Sequence, residues 1–308
     1  MATYLITQAT GGQSQAVIAH LLKAGVKIHA LVRNPDKAND LLKQPGVTIF
    51  KGETNNVEDV LAAAQGCKGA FLNTYPIPEL EVQQAKAATE ACRRAGVESV
   101  VLATTMYTDD KSFWDNELTK QHQLHGYYQS KHAIEAIVRE AGFTYTILRA
   151  GFIHFDYFLP NVLPNYPWLH SHGELRHAFD EGRGILHTDA DDIGKYAAAA
   201  LLNPAKFGGQ EIELGNEAIT PSQAADILTR VSGRTIPVRK LDDAEFSEAI
   251  KTYYPLWWHR YSNHKDWAGA DVVAKEVQEK FGIPFTSFED AIKRDKARLL
   301  ETLPKLDG

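Results

Sequence analysis

Through the first 150 residues, short apolar runs alternate with longer stretches in which apolar positions recur every three or four residues. The apolar runs predict strands, and they lie at residues 4–7, 27–32, 47–50, 69–73, 99–104 and 145–150. The longer stretches predict helices, and they lie at residues 16–24, 36–43, 56–65, 79–95 and about 116–141. Regular alternation of this kind is typical of βαβ units, whose parallel strands carry helices on both faces. We therefore predict an α/β fold with a doubly wound parallel sheet.

The pattern changes after the sixth predicted strand. Residues 151–183 mix prolines, aromatic residues and histidines, which predicts a long loop with short helical pieces. Short strands and an alanine-rich helix within 184–214 are expected to return to the sheet. Residues 215–308 are mostly helical in pattern and begin with a helix capped by Thr220. We predict a dinucleotide-binding domain from 1–150 with the pieces near 184–214, and a smaller, mostly helical C-terminal lobe from 151–183 and 215–308 that serves as a substrate or lid lobe.

Composition excludes several classes of protein. The chain has 308 residues, of which 44% are hydrophobic and 23% charged, and its net charge is −6. No cluster of Lys and Arg is present, so nucleic acid is not an expected partner. No apolar run approaches the roughly 20 residues that span a bilayer. The chain begins MATYLIT, without a basic segment before its first apolar run, and its two cysteines do not form a disulfide framework. We expect a reduced, cytoplasmic compartment.

The loop after the first predicted strand reads QATGGQSQ. A phosphate loop of pattern G-x-x-G-x-x-G uses its glycines for a tight turn, for close approach to the pyrophosphate and for helix packing. Gly11 holds the middle position, Gln8 replaces the first glycine and Ser14 the third. Ser14 is small enough for close packing, whereas at Gln8 we expect a turn formed without glycine's positive φ. The residues expected to line the phosphates are Thr10, Gly11, Gly12 and Gln13.

The end of the second predicted strand bears on the choice of dinucleotide. Sites that prefer NAD place an acid there for the ribose 2′-hydroxyl. This chain has ALVRNPDKA instead, with Arg33 after the strand and Lys37 one turn later. A guanidinium binds a 2′-phosphate in a bidentate manner, so we predict NADP(H). The alternatives are a solvated Arg33 and an ordinary strand-to-helix turn without a ligand.

The chain resembles the NmrA-like family of atypical short-chain dehydrogenases/reductases. The likeness rests on QATGGQ, on ALVRNPDKA and on VTIFKGETNNVEDVLAAAQGCKGAFLNT, and it continues through residues 144–152, 189–204 and 233–238. It covers most of the chain, although the specific motifs lie in the first half. The resemblance implies a Rossmann core, preference for NADP(H) and a small C-terminal lobe that closes the pocket. It also implies tolerance for the missing glycines, and the family contains both reductases and proteins that only sense the dinucleotide.

Candidate catalytic residues follow from the same resemblance. Short-chain dehydrogenases donate a proton from a Tyr, helped by a Lys four residues later on the same helix face. Tyr127 and Lys131 in HGYYQSKH have this spacing, and Lys131 would also hold the nicotinamide ribose. Thr105 ends the fifth strand, where the family places a Ser or Thr that contacts substrate. The alternative for the Tyr–Lys pair is an aromatic core residue next to a surface lysine.

Strand ends and aromatic clusters complete the candidate site. The residues that follow the fourth strand lie where open sheets bind ligands, and they are expected near the cofactor: Asn73, Thr74 and Tyr75. The aromatic residues expected to form a broad apolar substrate pocket are Phe152, Phe155, Tyr157 and Trp257. Core packing or a dimer face is the alternative for these rings. His170 and His172 lack the ligand set of a zinc site, and we predict no metal.

The favoured function is an NADPH-dependent reductase of a hydrophobic carbonyl or enone. Two alternatives remain: a non-catalytic NADP(H) sensor that regulates a protein partner, and a biosynthetic protein that binds NADP(H) for a non-redox step. The expected partners are a small hydrophobic substrate and, for the sensor alternative, a second protein, with no nucleic acid and no membrane. The expected state is a monomer or homodimer.

Overall fold

The computed structural model describes residues 1–305 and divides into two compact units. The first unit comprises Met1–Asp115, His125–Ala150 and Ala190–Leu214. The second comprises Asn116–Leu124, Gly151–Asp189 and the chain from Gly215 onward. This division differs from the predicted one in two places, because residues 116–124 and 184–189 belong to the second unit.

The first unit is built on a seven-stranded sheet in the order β10-β6-β5-β4-β1-β2-β3, and every neighbouring pair is parallel. Its strands are β1 Thr3–Ile6, β2 Lys27–Val32, β3 Val47–Lys51, β4 Gly69–Leu72, β5 Ser99–Thr105, β6 Thr144–Ala150 and β10 Gln210–Glu213. The remaining strands are β7 Phe152–Ile153, β8 Leu175–His177, β9 Ile185–Thr188, β11 Glu217–Ile219 and β12 Val238–Lys240. An order that reverses between β1 and β4 is that of a doubly wound Rossmann sheet, so the predicted fold class is confirmed.

The helices up to the second half of the chain are α1 Gly12–Lys23, α2 Val57–Ala64, α3 Pro78–Arg94, α4 Lys111–Trp114, α5 Glu117–Gln121, α6 His125–Glu140, α7 Val162–Asn165 and α8 Pro167–His172. The later helices are α9 Ala190–Leu202, α10 Pro204–Phe207, α11 Pro221–Ser232, α12 Asp243–Ala249, α13 Leu256–Ser262, α14 Ala270–Phe281, α15 Phe288–Arg294 and α16 Lys296–Thr302. In the first unit α2, α3 and α6 bury one apolar core against the sheet. Helices α1 and α9 pack against each other, and a Cβ at Gly194 would lie 2.7 Å from the backbone of Ala16, so glycine permits their close approach.

Two predicted helices are wrong in detail. The predicted helix 36–43 is a pair of short 3-10 turns, Pro35–Lys37 and Asp40–Lys43. Asn side chains just before each turn accept a backbone N–H, which favours local turns over a continued helix. The predicted helix 116–141 is interrupted between α5 and α6, where Gln123 has a φ of +57°.

The second unit contains two small sheets and most of the later helices. One sheet has the order β11-β9-β7 and the other pairs β12 with β8. Helix α11 begins with the predicted cap, since the Thr220 side chain accepts the Gln223 N–H and Gln223 reciprocates. The principal core of this unit gathers buried side chains from residues 157–175 with others from α11, α15 and α16. No helix within residues 1–305 is both long and apolar enough to cross a membrane.

Candidate functional site

The loop between β1 and α1 keeps a glycine-like conformation without its first glycine. Gln8 has a φ of +49°, and its carbonyl accepts the Gly11 N–H at 2.8 Å. The expectation of a turn without positive φ is therefore wrong, because the turn is retained and Gln8 itself occupies the left-handed region. Ser14 is fully buried and its hydroxyl donates to the Thr7 carbonyl at 2.9 Å. The replacement for the third glycine thus fastens the helix to the end of β1.

The amino end of α1 has unused capacity for hydrogen bonds. Gly11 is the N-cap, and as a glycine it offers no side chain to cap the helix. A Cβ at Gly11 would lie 3.2 Å from the Gln8 carbonyl oxygen, so this position favours glycine. The buried Oε1 of Gln13 finds no hydrogen-bond donor in the described chain. A helix start of this kind, with exposed Thr10 beside it, fits an anionic ligand.

A cavity of about 310 Å³ opens at the carboxyl ends of β1, β2 and β3. The polar residues that line it are Gln8, Thr10, Arg33, Asn34, Lys37, Glu53 and Thr54. Arg33 lies 5.3 Å above the ring of Tyr75, which orients its guanidinium by a cation–π contact. The Asn34 side chain accepts the Asp36 N–H and so fixes the turn that carries Lys37. The structure therefore brings the two predicted cations to one cavity.

Glu53 and Thr54 were missed by the sequence analysis. They follow β3, and the Glu53 N–H donates to the Asp59 carboxylate at 2.9 Å. Their place directly after the third strand could have identified them, because ligands of doubly wound sheets bind along the carboxyl ends of the strands. Glu53 is exposed and places one carboxylate among the cations of the cavity.

The three predicted residues after β4 point to three different partners. The Asn73 amide donates to the Ser14 hydroxyl at 3.3 Å, which ties the strand end to the glycine loop. The Thr74 hydroxyl donates to Glu81 at 2.7 Å. The Tyr75 N–H donates to the Gln84 side chain, and its ring meets Arg33. The end of β4 thus connects the loop, the cavity and α3.

Lys131 is buried between α3 and α6. Its ammonium donates to Glu81 Oε1 at 2.6 Å, and Glu81 also accepts the Ser130 hydroxyl at 2.6 Å. Lys131 is 6% exposed and Glu81 is 0% exposed. Burial alone would lower the pKa of Lys131, but Glu81, Tyr127 and Glu135 together outweigh burial, with Glu81 acting most strongly, and the pKa lies above its ordinary value. The alternative of a surface lysine at this position is therefore wrong.

Tyr127 accompanies Lys131 on α6, as its spacing predicts. The Lys131 Nζ atom lies 5.6 Å from the centre of the Tyr127 ring. Glu81 itself was missed, because an acid in the first turn of a helix has an ordinary explanation in the helix dipole. Lys131 and its carboxylate are thus buried beside the partly buried Tyr127 ring, and a role of Tyr127 as proton donor stays a prediction.

A second buried ionic cluster contacts Thr104, the neighbour of Thr105 in β5. The Thr105 hydroxyl donates to the Ala150 carbonyl at 3.3 Å, so it is already used in joining β5 to β6. Arg149 is 2% exposed and donates to both carboxylate oxygens of Glu135, at 3.0 and 2.8 Å. Its other ion-pair partners are Asp109, Glu211 and Glu213. An arginine within the apolar run TYTILRA was the signal for a buried charge.

The pKa values of two carboxyl groups in this cluster shift in opposite directions, according to whether Arg149 or burial has the larger effect. Burial would raise the pKa of Glu135, but hydrogen bonds from Arg149 hold it below the ordinary value. Burial raises the pKa of Glu213 to about 8, against the opposing effect of Arg149. Glu213 Oε2 has no hydrogen-bond donor within the described residues. Glu135 therefore keeps its charge at neutral pH, whereas burial disfavours the charged form of Glu213 despite its contact with Arg149.

The four predicted pocket aromatics lie in the second unit. Tyr157 is 1% exposed, stacks on Tyr166 at 4.9 Å, and its hydroxyl lies 3.2 Å from His187 Nε2. Phe152 and Phe155 are partly buried against the same core, and Trp257 packs on a neighbouring apolar cluster. Their packing is that of a lobe core, and a role in binding substrate stays a prediction.

Comparison with known proteins extends the likeness seen in the sequence. The chain is 29% identical to quinone oxidoreductase 2 of Escherichia coli over 252 residues, which are 80% of each protein. The crystal structure of an NADPH-dependent quinone oxidoreductase from Escherichia coli, complexed with NADPH, has a TM-score of 0.71 at 23% identity and covers 95% of this chain and 99% of that one. The crystal structure of NmrA, a negative transcriptional regulator, in complex with NAD has a TM-score of 0.73 at 21% identity and covers 98% and 96% of the two chains.

The structural likenesses at these identities establish the fold. The family itself rests on the sequence, since the profile described as the NmrA-like family matches residues 2–259 and therefore most of the chain. The resemblance carried by the glycine loop and the following strands is thus confirmed, and the chain belongs to the NmrA-like family.

Proposed function

We propose that this protein is an NADPH-dependent reductase of a hydrophobic quinone, carbonyl or enone. The observation that carries the proposal is the cavity at the ends of β1 to β3, where Arg33 and Lys37 meet beside the uncapped start of α1. Two cations and a helix amino end form a surface for a ligand with several phosphates. The relatives named above include a quinone oxidoreductase and a structure with NADPH bound.

The residues present fit the dinucleotide. Gly11 leaves room for close backbone approach to phosphate, and the orphan Oε1 of Gln13 could accept from a hydroxyl or amide group of the dinucleotide. Arg33 and Lys37 would hold the 2′-phosphate of NADP(H). Glu53 opposes this preference, because a carboxylate repels phosphate and accepts a ribose hydroxyl. Two cations against one exposed acid favour NADP(H) over NAD(H).

The Tyr127–Lys131 pair supplies the second half of the reaction. When bound, NADPH would supply a hydride, with its two electrons, to an electron-poor carbon or quinone oxygen of the substrate. Tyr127 would donate its phenolic proton to the oxygen that becomes negative, and a proton from solvent would restore the phenol. Lys131, with its ammonium 5.6 Å from the ring, would stabilise the transient phenolate.

The test begins with binding. The purified protein is titrated with NADPH and, separately, with NADH, and the nicotinamide fluorescence is followed. We expect tighter binding of NADPH. Arg33→Ala should weaken NADPH binding by about 10- to 100-fold, because a charge-assisted phosphate contact contributes roughly 1.5–3 kcal/mol, and should change NADH binding little. Lys43→Ala is the matched control, since Lys43 is exposed and pairs with Asp40 outside the lining of the cavity.

Turnover is then measured as NADPH oxidation with quinones and bulky enones. Tyr127→Phe should keep NADPH binding and lose most of the turnover. Binding without turnover on any acceptor would instead favour a dinucleotide sensor, as the NmrA regulator with bound NAD suggests. Product formed without NADPH consumption would favour a non-redox step. If neither dinucleotide binds, the proposal is wrong.

A further inference from the structure

The buried contact between Glu81 and Lys131 carries an inference beyond the assignment of the pair. We infer that Glu81 is a positioning residue that keeps Lys131 charged in a buried site and holds its ammonium beside Tyr127. The inference rests on the proposed function for its catalytic meaning. The claim that Lys131 is charged and held in place by Glu81 does not depend on any ligand.

Glu81 is placed to act on Lys131 from a different helix. It lies in the first turn of α3, is fully buried, and accepts Lys131 Nζ at 2.6 Å. Thr74 and Ser130 also donate to this carboxylate, at 2.7 and 2.6 Å. Three donors fix the carboxylate in one orientation, so the ammonium that it binds is fixed as well.

Glu135 is the other acid whose charge acts on Lys131. It lies on α6 one turn beyond the lysine, and its charge raises the lysine pKa less than that of Glu81 does. Glu135 is occupied by Arg149 of β6, which donates to both of its oxygens. Tyr127, on the same helix as Lys131, is the third titratable group in this environment, and Thr104 of β5 donates to Glu135. Glu81 is therefore the carboxylate committed to the lysine.

Two opposing effects set the charge of Lys131. Burial is the largest single influence and lowers its pKa, because an ammonium loses hydration between the helices. Glu81 opposes burial by its charge and by its hydrogen bond, and the outcome is a raised pKa. Loss of the carboxylate removes both its charge and its hydrogen bond, so that only Tyr127 and Glu135 still oppose burial. The lysine would then lose its proton at a pH well below the wild-type value and would no longer attract a phenolate at Tyr127.

The first experiment measures the lysine directly in the ligand-free protein. The Cε–Nζ group of Lys131 is followed by NMR of lysine-labelled protein from pH 6 to 11, and Lys131→Arg identifies its signal. In wild type, we expect the signal to stay that of an ammonium beyond the ordinary lysine pKa of about 10.4. In Glu81→Gln, the midpoint should fall by about one pH unit or more, which corresponds to a tenfold loss of proton affinity.

Two variants and a melting curve provide the controls. Glu79→Gln removes an exposed acid from the same first turn of α3, and should leave the Lys131 midpoint unchanged. Glu81→Asp keeps the charge but withdraws it by one methylene, and should restore part of the wild-type midpoint. Circular dichroism establishes that each variant is folded. If Glu81→Gln does not fold, the wild-type and Glu81→Asp titrations decide the question.

The second readout is the pH profile of turnover. Above the new midpoint, Glu81→Gln should lose rate while wild type does not, with NADPH binding at pH 6.5 preserved. A folded Glu81→Gln protein whose Lys131 titrates as in wild type would overturn the inference, as would a wild-type lysine that deprotonates below its ordinary range. Absence of turnover in wild type would count against the proposed reaction and leave the NMR result intact, so the two failures are distinguishable.

Discussion

The cationic side chains of the first unit lie in two contrasting environments. At the cavity, Arg33 and Lys37 are exposed, and the start of α1 lacks a side-chain cap within the described residues. On the other side of the sheet's switch point, Lys131 and Arg149 are buried and each is bound to carboxylates. Exposed cations beside an open cavity are available to an anionic ligand, whereas buried and paired cations hold protein groups in place. The difference separates binding of cofactor from organisation of the site.

The largest expected effect comes from breaking the buried side of this comparison. Arg149→Met removes the buried guanidinium that binds Glu135 and Glu211. Both acids keep their ion pair with the more exposed Arg139, so we expect a loss of about 2–4 kcal/mol of stability, somewhat less than the roughly 3–5 kcal/mol for a buried charge with no partner. The free energy of unfolding is measured by urea denaturation. Arg33→Met is the matched control at the cavity and should change stability by less than about 0.5 kcal/mol. Equal effects of the two substitutions would remove the distinction.

Features that depend on local sequence patterns could be predicted from the sequence. Periodicity located six strands of the main sheet within a residue or two at each end, because most of these strands are buried and their apolar runs are nearly continuous. The seventh, β10, lies within the 184–214 stretch that was expected to return to the sheet. The helix cap at Thr220 was also predicted correctly, since capping depends only on residues close in the sequence. Arg33 and Lys37 were found because a strand end in this fold has a known relation to the dinucleotide.

The buried partners were not foreseeable in the same way. Glu81 and Lys131 are 50 residues apart, and nothing local distinguishes Glu81 from Glu79 in the same turn. The pairing exists because α3 and α6 pack side by side, which is a property of the assembled sheet. The 3-10 turns that replaced the helix 36–43 show the converse case, in which side-chain caps outweighed an apolar spacing.

A smaller expected effect concerns Glu213 of the buried cluster and the pH dependence of stability. The pKa of Glu213 is about 8 in the folded protein, against an ordinary value of 4.5. Because the folded state holds this proton more tightly than the unfolded state, Glu213 favours folding at low pH. This contribution to stability is lost as the pH rises from 4.5 through 8. Glu213→Gln should remove that loss. Between pH 5 and pH 8.5, the free energy of unfolding of the variant should rise by about 1–2 kcal/mol relative to that of wild type. Solvent at the side chain, which is 17% exposed, keeps this gain small.

Urea denaturation at several pH values measures this gain. Glu53→Gln provides the control for removal of one carboxylate, since Glu53 is exposed at the cavity and outside the buried cluster. Glu135 and Glu211 have lowered pKa values, so their contributions are lost at acid pH, outside this window. Parallel stability curves for wild type and Glu213→Gln would show that Glu213 is charged at neutral pH.

The smallest effect concerns strain at the cavity itself. Gln8 holds a φ of +49° where a dinucleotide loop ordinarily has glycine, and a non-glycine residue in the left-handed region costs about 1 kcal/mol. Gln8→Gly removes this strain but loosens the unfolded chain, so the net gain in stability should be about 0.5 kcal/mol. Gly25→Ala is the reverse control, because Gly25 has a φ of +73° with open space around it and should lose stability by about 1 kcal/mol. If Gln8→Gly is instead destabilising, contacts of the Gln8 side chain outweigh its strain, and the replacement of the first glycine is a stabilising feature of the loop.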